Sequence, residues 1–323
     1  MGLIENPKTY TGRDLETIFF RPMFTGDNAE QLGIRVLYNM PVPTTIQLWS
    51  PQSNILQKYS AGWNGGNPAE RKQKSIDLHK VKAEVAFSAS NYFQQVYELI
   101  VGRADVNLDD LSGTELEQAE TEMFRAAIAE NLRVLMWVGD TEASTYNNMN
   151  GFLTLAYKYV DADAVPVADL VGVPVEADNV VRIMDEMWLS ASNELRALKG
   201  DGNLVYFVSS DIYEAYDHYL DSHGTDGAYT DIITGRRELM YHGIKLVDMG
   251  VSAYMPLNYN QASTHCLLTD RRNFALAVNT ADFPGSEVRM WYNPDEMENR
   301  QRAIFMVGAE ILDENLLVVA QFD

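Results

Sequence analysis

Between residues 114 and 138 the apolar positions recur at helical spacing. Leu116, Ala119, Met123, Ala127, Val134 and Val138 form a stripe, which Phe124, Ile128, Leu132 and Leu135 widen. Thr114 with Glu117 three residues on has the spacing of a capping box, Glu115, Glu117 and Glu120 favour the positive end of the helix dipole, and Gly139 supplies a stop. The pattern predicts one long helix, about 37 Å at ~1.5 Å per residue. It carries no catalytic motif and reads as a structural spine.

On the N-terminal side the pattern changes twice. Residues 1–33 read as an arm, interrupted by Pro7, Gly12, Pro22, Gly26 and Gly33. Leu15, Ile18, Phe19, Phe20 and Phe24 are too apolar to be left in water and too short a run to bury themselves, so they need another surface, on this chain or on a neighbour. Residues 34–90 read as two extended arms joined by a long tip. IRVLYNMPVPTTIQLW is β-branched and aromatic, with Pro41 and Pro43 against a helix. KSIDLHKVKAEVAFSAS answers with Ile76, Leu78, Val81, Ala83, Val85 and Phe87 alternating against Asp77, Lys80, Lys82 and Glu84. The tip, SAGWNGGNPAERKQ, is turn chemistry, and no Lys-Ser/Thr pair follows Gly65–Gly66 to make a phosphate loop. A hairpin this long exposes its edges and Trp63 unless a partner covers them.

Beyond the spine, Tyr92–Gly102 reads as a short helix before it and Val106–Gly113 as a loop into it; Gly151–Val160 and Ala164–Pro174 are mixed. Val180–Leu198 is an amphipathic helix with Ile183, Met187, Leu195 and Leu198 near one face, ended by Lys199–Gly200. Asn203–Ser209 is a buried strand and Asp211–Leu220 a helix capped by Asp211, an alternation that suits a compact α/β lobe. Residues 221–231 are a polar glycine loop. Strands follow at Lys245–Val251, Thr264–Leu268, Phe274–Val278, Val288–Tyr292 and Leu316–Gln321, with a turn at Thr269–Asn273. No internal repeat or low-complexity segment is visible.

Composition narrows the function classes. The chain has 323 residues, 46% of them hydrophobic, enough for one large domain or two ordinary ones. Its formal charge of −21 opposes binding to a phosphate backbone. Cys266 is the only cysteine, which excludes an intrachain disulfide and a Cys-based zinc site and fits a reducing compartment. The first twenty residues lack a signal-peptide pattern, and no apolar run approaches the ~18 residues of a membrane helix; the expectation is a chain of cytoplasmic origin with no membrane partner. His218, Asp221 and His223 are the best metal candidates, though five residues separate the histidines. His265–Cys266 suggests a thiol–imidazole pair, but neighbours in a strand point to opposite faces. No nucleophile elbow, Walker loop or dinucleotide fingerprint is present, so the expectation is no enzyme, no metal and no cofactor.

The C-terminal run supplies a resemblance. GIKLVDMGVSAYMP, with Met255–Pro256, is followed by Leu268–Thr269–Asp270 and Asn273 in HCLLTDRRNFALAVNTADFPGSEVRMWYNPDEMENRQRAIFMVGAEILDENLLVVAQF, which ends in a hydrophobic strand after Gly308–Ala309–Glu310–Ile311. This order and spacing resemble the C-terminal part of tailed-bacteriophage major capsid proteins with the Hong Kong ninety-seven-like fold. The resemblance implies an α+β chain with residues 1–33 as N-terminal arm, 34–90 as extended β-hairpin loop, 91–149 and 266–323 as peripheral domain with spine helix 114–138, and 150–265 as axial domain. It implies self-assembly into hexamers and pentamers of an icosahedral shell in the host bacterial cytoplasm, with portal, scaffolding and possible decoration proteins as partners. Double-stranded DNA would be enclosed without sequence-specific binding. Phe19, Phe20, Phe24 and Trp63 would then meet neighbouring subunits, and Arg71, Lys72, Lys74, Asp295, Glu296, Glu298, Arg300 and Arg302 would set register at junctions. His223, Asp226 and Tyr229 would lie in a loop at the capsomer centre. Some relatives crosslink a Lys to an Asn, for which Lys58, Lys72 or Lys74 with Asn293 or Asn299 are conceivable here. The same fold also builds encapsulin compartments, which hold cargo in place of a genome; a cytosolic α/β metalloenzyme using residues 218–223 is the reading from another class.

Overall fold

A computed structural model describes residues 8–10, 29, 32–38, 44–49, 71–88, 115–223, 229–230, 237–254, 264–279, 287–293, 295–296 and 298–322. Two six-stranded sheets enclose a shared core, and helices cover the far side of the second.

The first sheet is built on a strand that the alternation pattern does not mark. Its strands in chain order are β1 (Lys8–Tyr10), β2 (Arg35–Tyr38), β5 (His79–Ser88), β13 (Phe274–Asn279), β14 (Glu287–Asn293) and β15 (Glu298–Ile311). β15 has 14 residues, about 46 Å at ~3.3 Å each. One of its edges pairs with β5 over residues 298–307, and the other takes β14 over 298–304 and then β13 over 306–311. β1 joins β14 antiparallel, and β2 joins β13 parallel. The period of two sets the faces: Ala303, Phe305, Val307, Ala309 and Ile311 enter the main core with Val81, Val288, Leu276 and Val278, while Ala275 and Ala277 turn to the opposite face.

Helix α1 (Glu115–Val138) lies on that inner face. Its buried side is Phe124, Ile128, Leu132 and Leu135; Met123, expected in the stripe, is 57% exposed. The last turn, Val134 to Val138, is buried all round because it runs between the two sheets. Gly139 ends it as expected, its N–H donating to the Leu135 carbonyl at 3.0 Å. The N–H of Gly151 in turn reaches the Gly139 carbonyl at 2.7 Å, and a Cβ on Gly151 would stand 2.6 Å from the Trp137 carbonyl oxygen, so the chain returns through a space only glycine fits. Helix α2 (Phe152–Asp161) starts from that point.

The second sheet runs β10 (Met240–Tyr241), β11 (Ile244–Asp248), β7 (Leu204–Val208), β12 (Cys266–Asp270), β16 (Leu317–Gln321) and β6 (Val167–Asp169). Val205, Phe207, Leu267, Leu317 and Val319 face the core shared with the first sheet; Leu204, Tyr206, Val208, Leu268 and Val318 face a second core under the helices. Burial on both faces is why residues 204–208 read as an unbroken apolar run. β12 and β16 pair into this sheet although they lie beyond residue 265, where the axial segment was expected to end.

The predicted helix 180–198 is two. α3 (Val180–Ser190) stops at Ala191, whose ψ of 139° is extended, and the Ser192 side chain accepts from Leu195 N–H at 3.0 Å to start α4 (Asn193–Ala197). A serine able to cap thus overrode a continuous apolar stripe. α5 (Ser210–His223) begins before Asp211, which therefore lies in its first turn and not at the cap, and it continues to His223, into the segment read as loop. The remaining described strands are β3 (Thr44–Trp49), paired among the described strands only with β4 (Arg71–Ile76), and β8 (Tyr229–Thr230), paired with β9 (Arg237–Glu238). Within the segment 34–90 expected to be a hairpin, β3 and β4 pair with each other, β2 and β5 on either side belong to the first sheet, and the expected tip at 50–70 lies outside the described residues. The expected helix at 92–102 and loop at 106–113 lie outside the described residues.

Four rings tie the halves together. Trp137 of α1 meets Phe152 of α2 at 5.6 Å, Phe207 of β7 at 5.0 Å and Phe274 of β13 at 6.0 Å between centroids, and Phe274 stacks on Phe152 at 4.5 Å. Phe274→Ala should lower stability by about 3–5 kcal/mol, read as a lower denaturant midpoint; a loss below ~1 kcal/mol would contradict a close-packed quartet. Gly308 of β15 lies under the chain where β4 passes to β5, and a Cβ there would stand 2.2 Å from the Asp77 carbonyl oxygen. Gly308→Ala should cost about 1–3 kcal/mol by the same measurement, and a neutral effect would show that this crossing can shift.

Candidate functional site

The β3–β4 hairpin, like the short β8–β9 pair, stands off both six-stranded sheets, and a part-buried charged group at its root joins distant segments. Ile76 is fully buried with Ala275, Ala277 and Leu312, and Leu37, Ile46 and Leu78 pack against them, forming a small core on the face of the first sheet opposite α1. Lys74, opposite Ile46 in register, donates to Glu314 at 2.5 Å and stands 3.9 Å from Glu310. Its ammonium lies 4.4 Å from the ring centroid of Tyr159, whose hydroxyl donates to Glu310 at 2.7 Å. Burial works to lower the Lys74 pKa, but the bond to Glu314, then Tyr159 and Glu310, outweigh it and leave it raised. Burial raises the Glu310 carboxyl above its usual range against the opposing pull of Tyr159 and Lys74, and pushes the Tyr159 hydroxyl up to about 12.

Three other junction residues, Glu298, Arg300 and Arg302, alternate onto the face of the first sheet opposite α1. Asp295 and Glu296 form the exposed turn between β14 and β15. Arg300 pairs with Glu296 and, at 3.3 Å, with Glu298. Arg302 and Arg289 lie over the Trp291 ring at 5.8 and 5.6 Å. Of the predicted contacts, Lys74 is thus brought to the hairpin root, Glu298, Arg300 and Arg302 to one sheet face, and Asp295 and Glu296 to the turn beside it. Arg71 and Lys72 lie in β4 opposite Trp49 and Leu48, with side chains outside those described. Phe19, Phe20, Phe24, Trp63 and Asp226 lie outside the described residues. Tyr229 is in β8 opposite Glu238. Lys58 is not described either, and Asn299 is buried on β15.

The metal candidates do not converge. On one continuous helix His218 and His223 are about 140° apart. His223 stacks on Tyr219 at 4.2 Å, its Nδ1 3.0 Å from the Tyr219 carbonyl. Among the described residues no three His, Cys, Asp or Glu side chains could share an ion. His265 Nδ1 is hydrogen-bonded to the Tyr157 hydroxyl at 2.6 Å, while burial drives the Cys266 thiol far above its usual range, so the two form no reactive pair. A polar group where β7 enters α5 is internally satisfied: Ser210 donates to Asp248 at 3.0 Å, and Ser209 and Thr264 both bond Asp211. No described helix is long and apolar enough to cross a membrane.

The pattern reading missed Glu310, Glu314 and Tyr159 as partners of Lys74. The available signal was Glu310 itself, a carboxylate inside the apolar run from Ala303 to Leu312, where an ion needs a partner.

Neither a protein-family model nor a curated protein matches the sequence. Solved structures do match. A chain of the satellite phage P4 procapsid including the size determination (Sid) protein aligns at 10% identity and a TM-score of 0.61, covering 97% of this chain and 92% of that one. The capsids of empty and of native GTA particles align at 14% and 12% identity with TM-scores of 0.56 and 0.54, each covering 92% of this chain and 90% of the other. At such identities the likeness is one of fold, and it spans nearly the whole chain: this protein has the α+β fold of phage and GTA capsid proteins.

Proposed function

We propose that the chain is a major capsid protein, a structural subunit without enzymatic activity, that self-assembles into the hexamers and pentamers of an icosahedral shell around double-stranded DNA. The observation that carries this reading is the fold match over 92–97% of the chain to capsid chains of two kinds of particle. The hairpin supports it. β3 and β4 pair with each other and, among the described strands, with no others, an arrangement that makes sense if a neighbouring copy covers them. In this reading residues 1–33 act as an arm and the hairpin reaches over an adjacent subunit, α1 is the spine, the first sheet forms the peripheral part and the helix-covered second sheet the axial part. Phe19, Phe20, Phe24 and Trp63 anchor on neighbours, and the charges around Arg300 and Arg302 set register where subunits meet. Residues 223–229 lie towards the capsomer centre. Many modest interfaces then sum to a stable shell.

Portal, scaffolding and decoration proteins are the partners such a shell would use, assembled in the cytoplasm of a bacterial host and ending in the virion. With a charge of −21 the subunit holds DNA by enclosure and not by attraction. An encapsulin-type compartment is the alternative on the same fold.

The test is negative-stain electron microscopy with size-exclusion mass on the protein expressed alone and with its neighbouring genes. Closed shells, tubes or rings of five or six copies are expected, and packaged DNA would set a virion apart from a compartment loaded with a cargo protein. A monomer or dimer in both preparations would contradict the proposal.

A further inference from the structure

We propose that Lys74, held between Glu314, Glu310 and the Tyr159 ring, is a latch that fixes the direction in which the β3–β4 hairpin leaves the body. Backbone pairing does not set that direction, because the described ladder ends within the hairpin and the chain leaves it through Asp77–Leu78 before β5 begins. What joins the hairpin to the sheet is side-chain contact. The close backbone crossing of Asp77 over Gly308 fixes where the hairpin leaves, while the apolar part, Ile76 with Leu37, Ile46, Leu78 and Leu312 against Ala275 and Ala277, is non-directional and by itself selects no single angle.

Lys74 supplies the directional part. Its partners come from three other segments: Tyr159 from α2, Glu310 from β15, and Glu314 from the 3-10 turn Glu314–Leu316. Tyr159 and Glu310 are held to each other, since the Tyr159 hydroxyl donates to Glu310, whose carboxyl also accepts from the Ile311 N–H at 3.0 Å. The ammonium and its two carboxylates are 19%, 13% and 29% exposed, so solvent screens the contact only in part. Without the ammonium, two carboxylates at the same junction would be left facing each other, and the hairpin would retain only its apolar root. The latch thus converts a hinge into a set angle, and with it decides where the hairpin tip can reach.

Hydrogen–deuterium exchange on the unassembled subunit fraction tests this, comparing wild type with Lys74→Met and Lys74→Arg. In Lys74→Met, amides of residues 44–49 and 71–76 should exchange about tenfold faster, while residues 204–208 and 266–270 stay as protected as in wild type; Lys74→Arg should restore most of the protection. Unchanged hairpin exchange, an equal rise in the second sheet, or failure of arginine to rescue would each overturn the latch. The readout needs no shell. A protein that never assembles would defeat the capsid proposal and leave this result intact, whereas a particle-forming protein with unaltered hairpin exchange would defeat the latch alone.

Discussion

The fold depends on the packing of Trp137 against Phe152, Phe207 and Phe274. Each ring comes from a different element, α1, α2, β7 and β13, and together these represent both sheets and both helices of the shared core. Among the described strands no backbone pairing joins the two sheets, so side-chain packing holds their relation. Large aromatic rings do this with few residues, since each buries much area and prefers a limited set of tilts. The close return of Gly151 to Gly139 places Phe152 against Trp137.

From that core outward, restraint falls away in steps. β15 is paired on both edges for most of its length, whereas β3 and β4 pair only with each other among the described strands. Such a hairpin is a poor element for a solitary protein and a useful one for a subunit that must engage copies of itself. The Lys74 cluster lies at the boundary between the two, where the first sheet meets the separately paired hairpin. A part-buried charge cluster is costly to form and loses its geometry when one partner is removed, which suits a place where an angle must be set.

Much of this was legible in the sequence. The spine helix and the buried strand at 204–208 followed from periodicity and from apolar runs, because in both the burial pattern is simple. β15 was hidden for a physical reason. Its inward positions at 299 and 301 are Asn and Gln, so Glu298 to Arg302 shows no alternation of apolar and polar, and only the stretch from Ala303 onward looks like a strand. The break between α3 and α4 was hidden because the Ser192 cap contributes locally what the stripe argued against. For the candidate site, Lys74 was singled out but its partners lie 85 to 240 residues away, a separation that spacing rules cannot bridge. The histidine cluster dissolved once α5 ran on to His223, since helical rotation then separates the two rings.

In the proposed shell, the hairpin of one copy is completed by another. Cryo-electron microscopy of the purified particle, at a resolution that traces the chain, tests it most directly. The expected result is a closed shell in which each β3–β4 hairpin leaves its own first sheet at Gly308 and rests on a neighbouring copy. A hairpin folded back on its own body, or particles whose copies touch only through other surfaces, would contradict it.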